Sequence, residues 1–176
     1  MKDIVDSTIP ILLPMSHGYW GTLSDMDQIR LSAWITLFCM SYEFAHKETV
    51  CVPQSERTIF SKRSIPSDRW FIAIGYGEPG PVYERTLHRS FSLGDDIDYE
   101  GHRHFQVTTF YFGKLLAVAY YSEFDITFDF KRFSALNGLT ILWPLDGPLR
   151  KPFRVHYDEA PEALLEIISQ MIRESI

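Results

Sequence analysis

The chain has 176 residues, of which 45% are hydrophobic and 23% charged, a composition typical of one folded domain and not of a disordered segment. Its net charge of −6 lacks the basic excess by which proteins bind the phosphates of duplex nucleic acid, so we expect no partner of that class. No apolar run approaches the roughly 20 residues of a membrane span, and no signal-peptide pattern occurs, so we expect a cytoplasmic protein without a membrane partner.

The N-terminal stretch is punctuated by residues that break regular structure. Pro10, Pro14 and Gly18 interrupt residues 1–22, and we expect an extended N-terminal segment there. The remaining residues, 23–176, show no composition shift or linker that would divide them. The sequence therefore predicts a single domain over 1–176, with the extended segment leading into one core.

Two helices are predicted before the first strand. Ser24 can cap a helix whose first turn carries two acids, and this amphipathic helix is expected to extend to about Lys47. Its predicted apolar face, at mainly three- and four-residue spacings, consists of Ile29, Trp34, Leu37, Phe38, Tyr42 and Ala45. A shorter helix is expected from Ser55 to about Lys62.

The centre of the predicted sheet is a hairpin within His104–Ser122. Gly113 and Lys114 form its turn, and both of its strands are too apolar for a sheet with one face in water. We therefore expect these strands to be central and covered on both sides. Three further strands are predicted at 70–76, 82–93 and 139–143. The run 82–93 has the mixed polarity of an edge strand.

The last element is an amphipathic helix from about Pro161 to Arg173. Together these elements predict an α+β fold. We expect an antiparallel sheet of about four to six strands, packed by the long helix of the N-terminal half and by the C-terminal helix.

Histidines near the hairpin are candidates for a metal site. His102 and His104 would project from the same side of a strand, and His88 on the preceding strand could complete a three-histidine site. The alternative is that these are water-exposed side chains. The acidic run within 94–101 lacks the pattern of a calcium loop, so a solvated loop or a contact with a basic partner is expected there.

Arginines and aromatic residues offer a second kind of site. Arginine can bind a phosphate or carboxylate while an aromatic ring stacks on a base. The alternative is that both tryptophans belong to the core. The candidate ligand-binding residues are Arg57, Arg69, Trp70, Tyr76 and Trp143, and Lys62 and Arg63 add to the same local basic stretch.

Catalytic motifs are absent from the sequence. The glycines of 75–80 lack the lysine and serine or threonine of a phosphate-binding loop, and no nucleophile elbow occurs. Cys39 and Cys51 have no neighbouring thiol at a metal-ligand spacing, so we expect two buried free thiols. Nothing argues strongly for an enzyme, and we expect no cofactor.

Five short motifs occur along the chain: Ser-Glu-Arg at 55–57, Pro66 with Trp70, Ile-Gly at 74–75, Gly-Lys-Leu at 113–115 and Trp-Pro at 143–144. Together these motifs resemble a poorly characterised bacterial domain that occurs in chains carrying an HNH-type nuclease module. The resemblance covers roughly residues 30–145, but the zinc-binding cysteine pairs and the HNH catalytic residues are missing. It therefore implies a recognition or regulatory domain, suited to a sensor or decoy role in bacterial or phage conflict, and not a nuclease.

Three functions are consistent with these observations. The leading hypothesis is a non-enzymatic recognition domain that binds a small anionic ligand, for example a nucleotide. The second is an immunity-type protein that inhibits a partner protein through an acidic and aromatic surface. The third is a metal-dependent hydrolase that uses His88, His102 and His104. A homo-oligomer is compatible with all three.

Overall fold

A computed structural model describes residues 2–45, 47–77, 86–92, 103–124, 129–147, 149 and 160–174. The α+β fold that the sequence predicts is confirmed, and none of the described helices is long and apolar enough to cross a membrane. The described helices and strands are α1 (Lys2–Ser16), α2 (Asp25–Tyr42), α3 (Gln54–Arg63), β1 (Trp70–Tyr76), β2 (Thr86–Phe91), β3 (Phe105–Phe112), β4 (Leu115–Ser122), α4 (Phe130–Leu136), β5 (Thr140–Trp143) and α5 (Ala160–Glu174).

The five described strands form one antiparallel sheet in the order β2-β3-β4-β1-β5. The central hairpin is confirmed, because β3 and β4 pair from Phe105 opposite Ser122 to Phe112 opposite Leu115. Its turn places Gly113 at φ +60, a conformation that glycine adopts without a steric cost. β1 pairs with the other side of β4, and β2, with its mixed polarity, lies at an edge as predicted.

Helices cover both faces of the sheet, so the central strands are buried on both sides. On one face Ile72 and Ala117 belong to a core that includes residues of α1, α2 and α3. On the other face Ala73 and Val118 pack with residues of α4 and α5. Every residue of β4 is buried, which explains why its sequence lacks the polar alternation of a half-exposed strand.

The N-terminal segment is helical, and the prediction of an extended segment over 1–22 is wrong for Lys2–Ser16. Pro10 and Pro14 lie four residues apart on the exposed side of α1. Proline has no backbone N–H, so a carbonyl one turn earlier lacks its helical donor, and on this side water can replace it. The opposite side of α1 is buried against the rest of the protein and consists of Ile4, Thr8, Leu12 and Met15. Packing of this face therefore outweighs the helix-breaking tendency of the two prolines.

α2 begins as predicted and ends earlier. The Ser24 hydroxyl accepts a hydrogen bond from the Asp27 N–H at 3.2 Å, and the Asp27 carboxylate accepts one from the Ser24 N–H at 3.2 Å. The helix ends at Tyr42, and the short 3-10 helices 43–45 and 47–49 lead from it towards α3. The expected continuous helix to Lys47 is therefore wrong by one turn.

The buried side of α2 differs from the predicted apolar face. Its fully buried residues include Leu31, Ile35 and Cys39, whereas the predicted face contains Trp34 and Phe38, which are only half-buried. Because α2 packs against α1 as well as the sheet, apolar residues occur around most of its circumference. A single stripe at helical spacing could not identify the innermost face.

Candidate ligand-binding site

Arg57, a predicted ligand-binding residue, is engaged in contacts within the fold. Its Nη2 donates to Glu43 Oε1 at 2.6 Å, its Nη1 to the Met40 carbonyl at 2.8 Å and its Nε to the Val52 carbonyl at 3.0 Å. The guanidinium also lies 4.5 Å from the centre of the Phe44 ring. Arg57 thus holds the connection between α2 and α3 together.

Glu43 is the fully buried partner of Arg57. Its Oε2 accepts hydrogen bonds from the backbone N–H groups of Cys51 at 2.6 Å and Val52 at 3.2 Å. Burial raises the pKa of Glu43, and the contacts with Cys51 and Arg57 act in the opposite direction. One carboxylate therefore joins three parts of the connection, and Arg57 is its basic partner.

Two predicted aromatic residues lie at opposite ends of β1. Trp70 is 1% exposed and packs on Tyr121, with 5.1 Å between ring centres. Tyr76 is half-buried and lies 6.0 Å from the ring of Trp20. Six residues of extended strand separate Trp70 and Tyr76 by about 20 Å, so one small ligand does not contact both.

The other predicted residues lie near Trp70. Arg69 is exposed, and its pKa is raised chiefly by the hydroxyl of Tyr121. The indole N–H of Trp143 donates to the Ser67 carbonyl at 2.9 Å, and the backbone N–H of Trp70 reaches the same carbonyl at 3.3 Å. Arg69, Trp70 and Trp143 therefore lie together at the end of β1 away from Tyr76.

The candidate metal ligands are only partly described. His88 Nδ1 lies 2.8 Å from Thr108 Oγ1, and the His104 ring packs 5.1 Å from the centre of Phe124. His88 is paired with Thr108, four residues from His104, so the two histidines are about 13 Å apart along the sheet. His102 and the acidic loop 94–101 lie outside the described residues. In the part of the chain that the structure describes, no group of three histidines, cysteines or acids could hold a metal ion.

Two neighbouring pockets that the sequence did not predict lie along α2, between α1 and the C-terminal end of α3, and their linings share Ile4 and Ser64. We call the pair the α2 groove. Its first lobe has a volume of about 390 Å³ and its second lobe a volume of about 310 Å³. The first lobe is lined by residues that include Met26, Ile29, Arg30, Ala33 and Arg63. The second is lined by residues that include Leu37, Met40, Phe44 and Phe60.

The α2 groove follows a second apolar face of α2. Met26, Ala33, Leu37 and Met40 recur at intervals of three, four or seven residues, so they lie on one side of α2, and Phe44 follows in the 3-10 helix 43–45. Met26 and Met40 are 14 residues apart, which corresponds to about 21 Å along the helix axis. The repeat is visible in the sequence. The sequence alone does not distinguish these groove residues from the apolar residues of α2 that are buried in the core.

Arginines provide positive charge at the first lobe. Arg63 is exposed and forms no hydrogen bond or ion pair with any residue that the structure describes. Arg30 is 3.8 Å from Asp27, and both side chains are partly exposed. Asp3 also lines the lobe, so its lining has two guanidinium groups and one carboxylate, and Asp27 beside Arg30 is a second carboxylate nearby.

Ser64, which lies where the two lobes meet, has an unusual backbone conformation. It follows α3 with φ 53 and ψ 32, in the left-handed region that glycine normally occupies at this position. A side chain in this conformation costs about 1–2 kcal/mol. Such strain is often found at functional sites, and here it coincides with the groove.

By its fold and site, the described part of the chain is an α+β protein with helices on both faces of a five-stranded antiparallel sheet and an apolar groove bordered by arginines. No protein-family model matches the chain, and no curated protein or solved structure matches it either.

Proposed function

We propose that the chain is a non-enzymatic recognition domain that binds a small anionic ligand in the α2 groove. The observation that carries this proposal is the combination of a concave apolar surface with Arg30 and Arg63 at one of its lobes. Ligand sites are typically clefts of about 300–1,000 Å³ with an apolar lining and a few polar groups that fix orientation. The dimensions and lining of the α2 groove agree with that description.

The few internal contacts of Arg30 and Arg63 favour binding of an anion. Because Arg63 has no partner among the described residues, an anion can contact it without displacing an internal contact. The exposed pair of Arg30 with Asp27, at 3.8 Å, contributes at most about 1 kcal/mol and is readily exchanged. Guanidinium groups also offer the paired donors that carboxylates and phosphates accept.

The biological role that we propose follows from the resemblance to a nuclease-associated bacterial domain. In that setting a recognition domain without the nuclease would act as a sensor or decoy in bacterial or phage conflict. An immunity-type role is the second candidate. It is favoured by a half-buried row of rings on α2, formed by Trp34, Phe38 and Tyr42, beside Phe112, which is 40% exposed.

The proposal is tested by thermal unfolding in the presence of a panel of organic carboxylates and phosphates. A ligand at 100 times its Kd stabilises a protein by about 2.7 kcal/mol, which corresponds to about 5–10 °C for a chain of this size. We expect at least one anion to stabilise the wild type and Lys62→Gln but not Arg63→Gln. Lys62 is the matched control because it is exposed, basic and adjacent, yet does not line the groove. Equal stabilisation of Arg63→Gln would contradict the proposed site.

A further inference from the structure

We infer that the ligand of the α2 groove is a single-chain amphipathic anion, with a carboxylate or phosphate head at Arg30 and Arg63 and an alkyl body along Leu37, Met40 and Phe44. This inference rests on the proposed function and specifies its ligand class. It assigns different roles to the two lobes, which we call the head lobe (the first) and the tail lobe (the second).

The tail lobe offers few free polar groups to a ligand. The Ser41 hydroxyl donates to the Leu37 carbonyl at 2.8 Å, and the Ser61 hydroxyl donates to the Thr58 carbonyl at 2.9 Å. The Arg57 guanidinium, which also borders this lobe, already donates through all three of its nitrogens. A nucleobase or sugar placed here would lose hydrogen bonds to water without replacing them, which opposes binding.

The surface of the tail lobe suits an alkyl chain. Leu37, Met40, Phe44 and Phe60 contribute to it, and Phe44 is 59% exposed. Methionine adapts its shape to flexible apolar partners, and covering an exposed phenylalanine removes apolar surface from water. An alkyl body gains from both effects, whereas a compact inorganic anion gains from neither.

The separation of charge and apolar surface requires an elongated ligand. Arg30 and Met40 lie 10 residues apart on α2, about 15 Å along the helix axis, and Phe44 lies beyond the C-terminal end of this helix. Arg63 lines only the head lobe, whereas Ser64 lines both lobes. The guanidinium of the tail lobe, Arg57, is already paired with Glu43, so a molecule with its charge at one end matches this arrangement.

Methionine methyl resonances test this arrangement in the 176-residue chain. Met26 lines the head lobe and Met40 the tail lobe, while Met15 is buried and lines neither, so it serves as an internal control. The probes are dodecyl phosphate, dodecanoate, dodecanol, inorganic phosphate and adenosine monophosphate. The three alkyl probes are added below the concentrations at which they aggregate. We expect the two alkyl anions to shift both Met26 and Met40 and to leave Met15 unchanged, and their relative affinities distinguish a phosphate from a carboxylate head.

Affinity measurements by titration calorimetry make the inference quantitative. Arg63→Gln should weaken binding of the preferred alkyl anion about tenfold, and Lys62→Gln should leave it unchanged. Each CH₂ removed from the chain should weaken binding about threefold to fourfold. Independence from chain length would overturn the inference, because the tail lobe would then be unused.

The remaining outcomes separate the inference from the proposed function. If adenosine monophosphate or inorganic phosphate binds as tightly as dodecyl phosphate and shifts only Met26, the inference fails and anion recognition stands. If dodecanol binds as tightly as the alkyl anions, both fail, because charge is not recognised. If no probe shifts Met26 or Met40, both fail as well.

Discussion

Replacing Arg57 by methionine tests whether this residue belongs to the fold or to a ligand site. The change keeps an apolar side chain beside Phe44 and removes the donor that lies 2.6 Å from Glu43 Oε1. Glu43 is fully buried, so its carboxylate keeps only the two backbone N–H groups of Cys51 and Val52. Breaking a buried ion pair in this way costs about 3–5 kcal/mol, a large share of the 5–15 kcal/mol that stabilises a typical domain.

The double variant Glu43→Gln/Arg57→Met separates the buried charge from lost packing. The glutamine amide oxygen can still accept hydrogen bonds from the backbone, but it carries no charge. We therefore expect the double variant to recover at least half of the stability that Arg57→Met loses. Urea unfolding followed by tryptophan fluorescence gives the free energy of unfolding for each variant.

The stability that Arg57→Met loses should depend on pH through the protonation of Glu43. Burial already raises the pKa of Glu43 in the wild type, and loss of Arg57 removes a contact that lowers it. A folded-state pKa above the unfolded value of about 4.3 means that stability falls as pH rises from the unfolded to the folded pKa. The loss caused by Arg57→Met should therefore be smallest near pH 4.5 and grow towards pH 7. A loss below about 1 kcal/mol, or one independent of pH, would refute this role for Arg57.

Three other changes follow from the structure. Gly113→Ala should destabilise the protein by at least about 2 kcal/mol, because the added Cβ would overlap a carbonyl oxygen of α1. Gly21→Ala is the control, since its added Cβ meets no atom and the change should be neutral. Urea unfolding measures the free energy of unfolding of both variants. Ser64→Gly should raise the free energy of unfolding by about 0.5–1 kcal/mol by relieving the left-handed strain, and a loss would contradict that account. Burial raises the pKa of Cys39 to about 12 and also raises the pKa of Cys51. Ellman's reagent at pH 8 should therefore react about a hundredfold more slowly with the native protein than with the unfolded protein. Rapid reaction of either native thiol would show that this thiol is exposed.

The parts of the fold that the sequence predicted are those in which local pattern and burial agree. β4 is apolar at nearly every position because both faces of the sheet are covered, and the glycine at 113 marks a turn that needs a positive φ. Ser24 and Asp27 specify the start of α2 through contacts only three residues apart. Each of these signals is local, so it can be recognised without the tertiary structure.

The features that the sequence did not predict depend on contacts between distant residues. α1 forms despite Pro10 and Pro14 because its other side is buried against the core. Arg57 was a plausible anion-binding residue by type, but its partner Glu43 is 14 residues earlier and becomes a neighbour only through the connection between α2 and α3. The α2 groove exists because α1 and α3 leave part of α2 uncovered, and no sequence spacing encodes that gap.

Native mass spectrometry of the freshly purified protein tests the central claim, binding of an anion in the α2 groove, most directly. The wild type and Lys62→Gln should carry an added mass of roughly 200–400 Da, the size that suits a cleft of this volume, and this mass should disappear on denaturation. Arg63→Gln should have the mass of the bare chain. The same added mass on Arg63→Gln, or bare chains for all three proteins, would contradict the proposal.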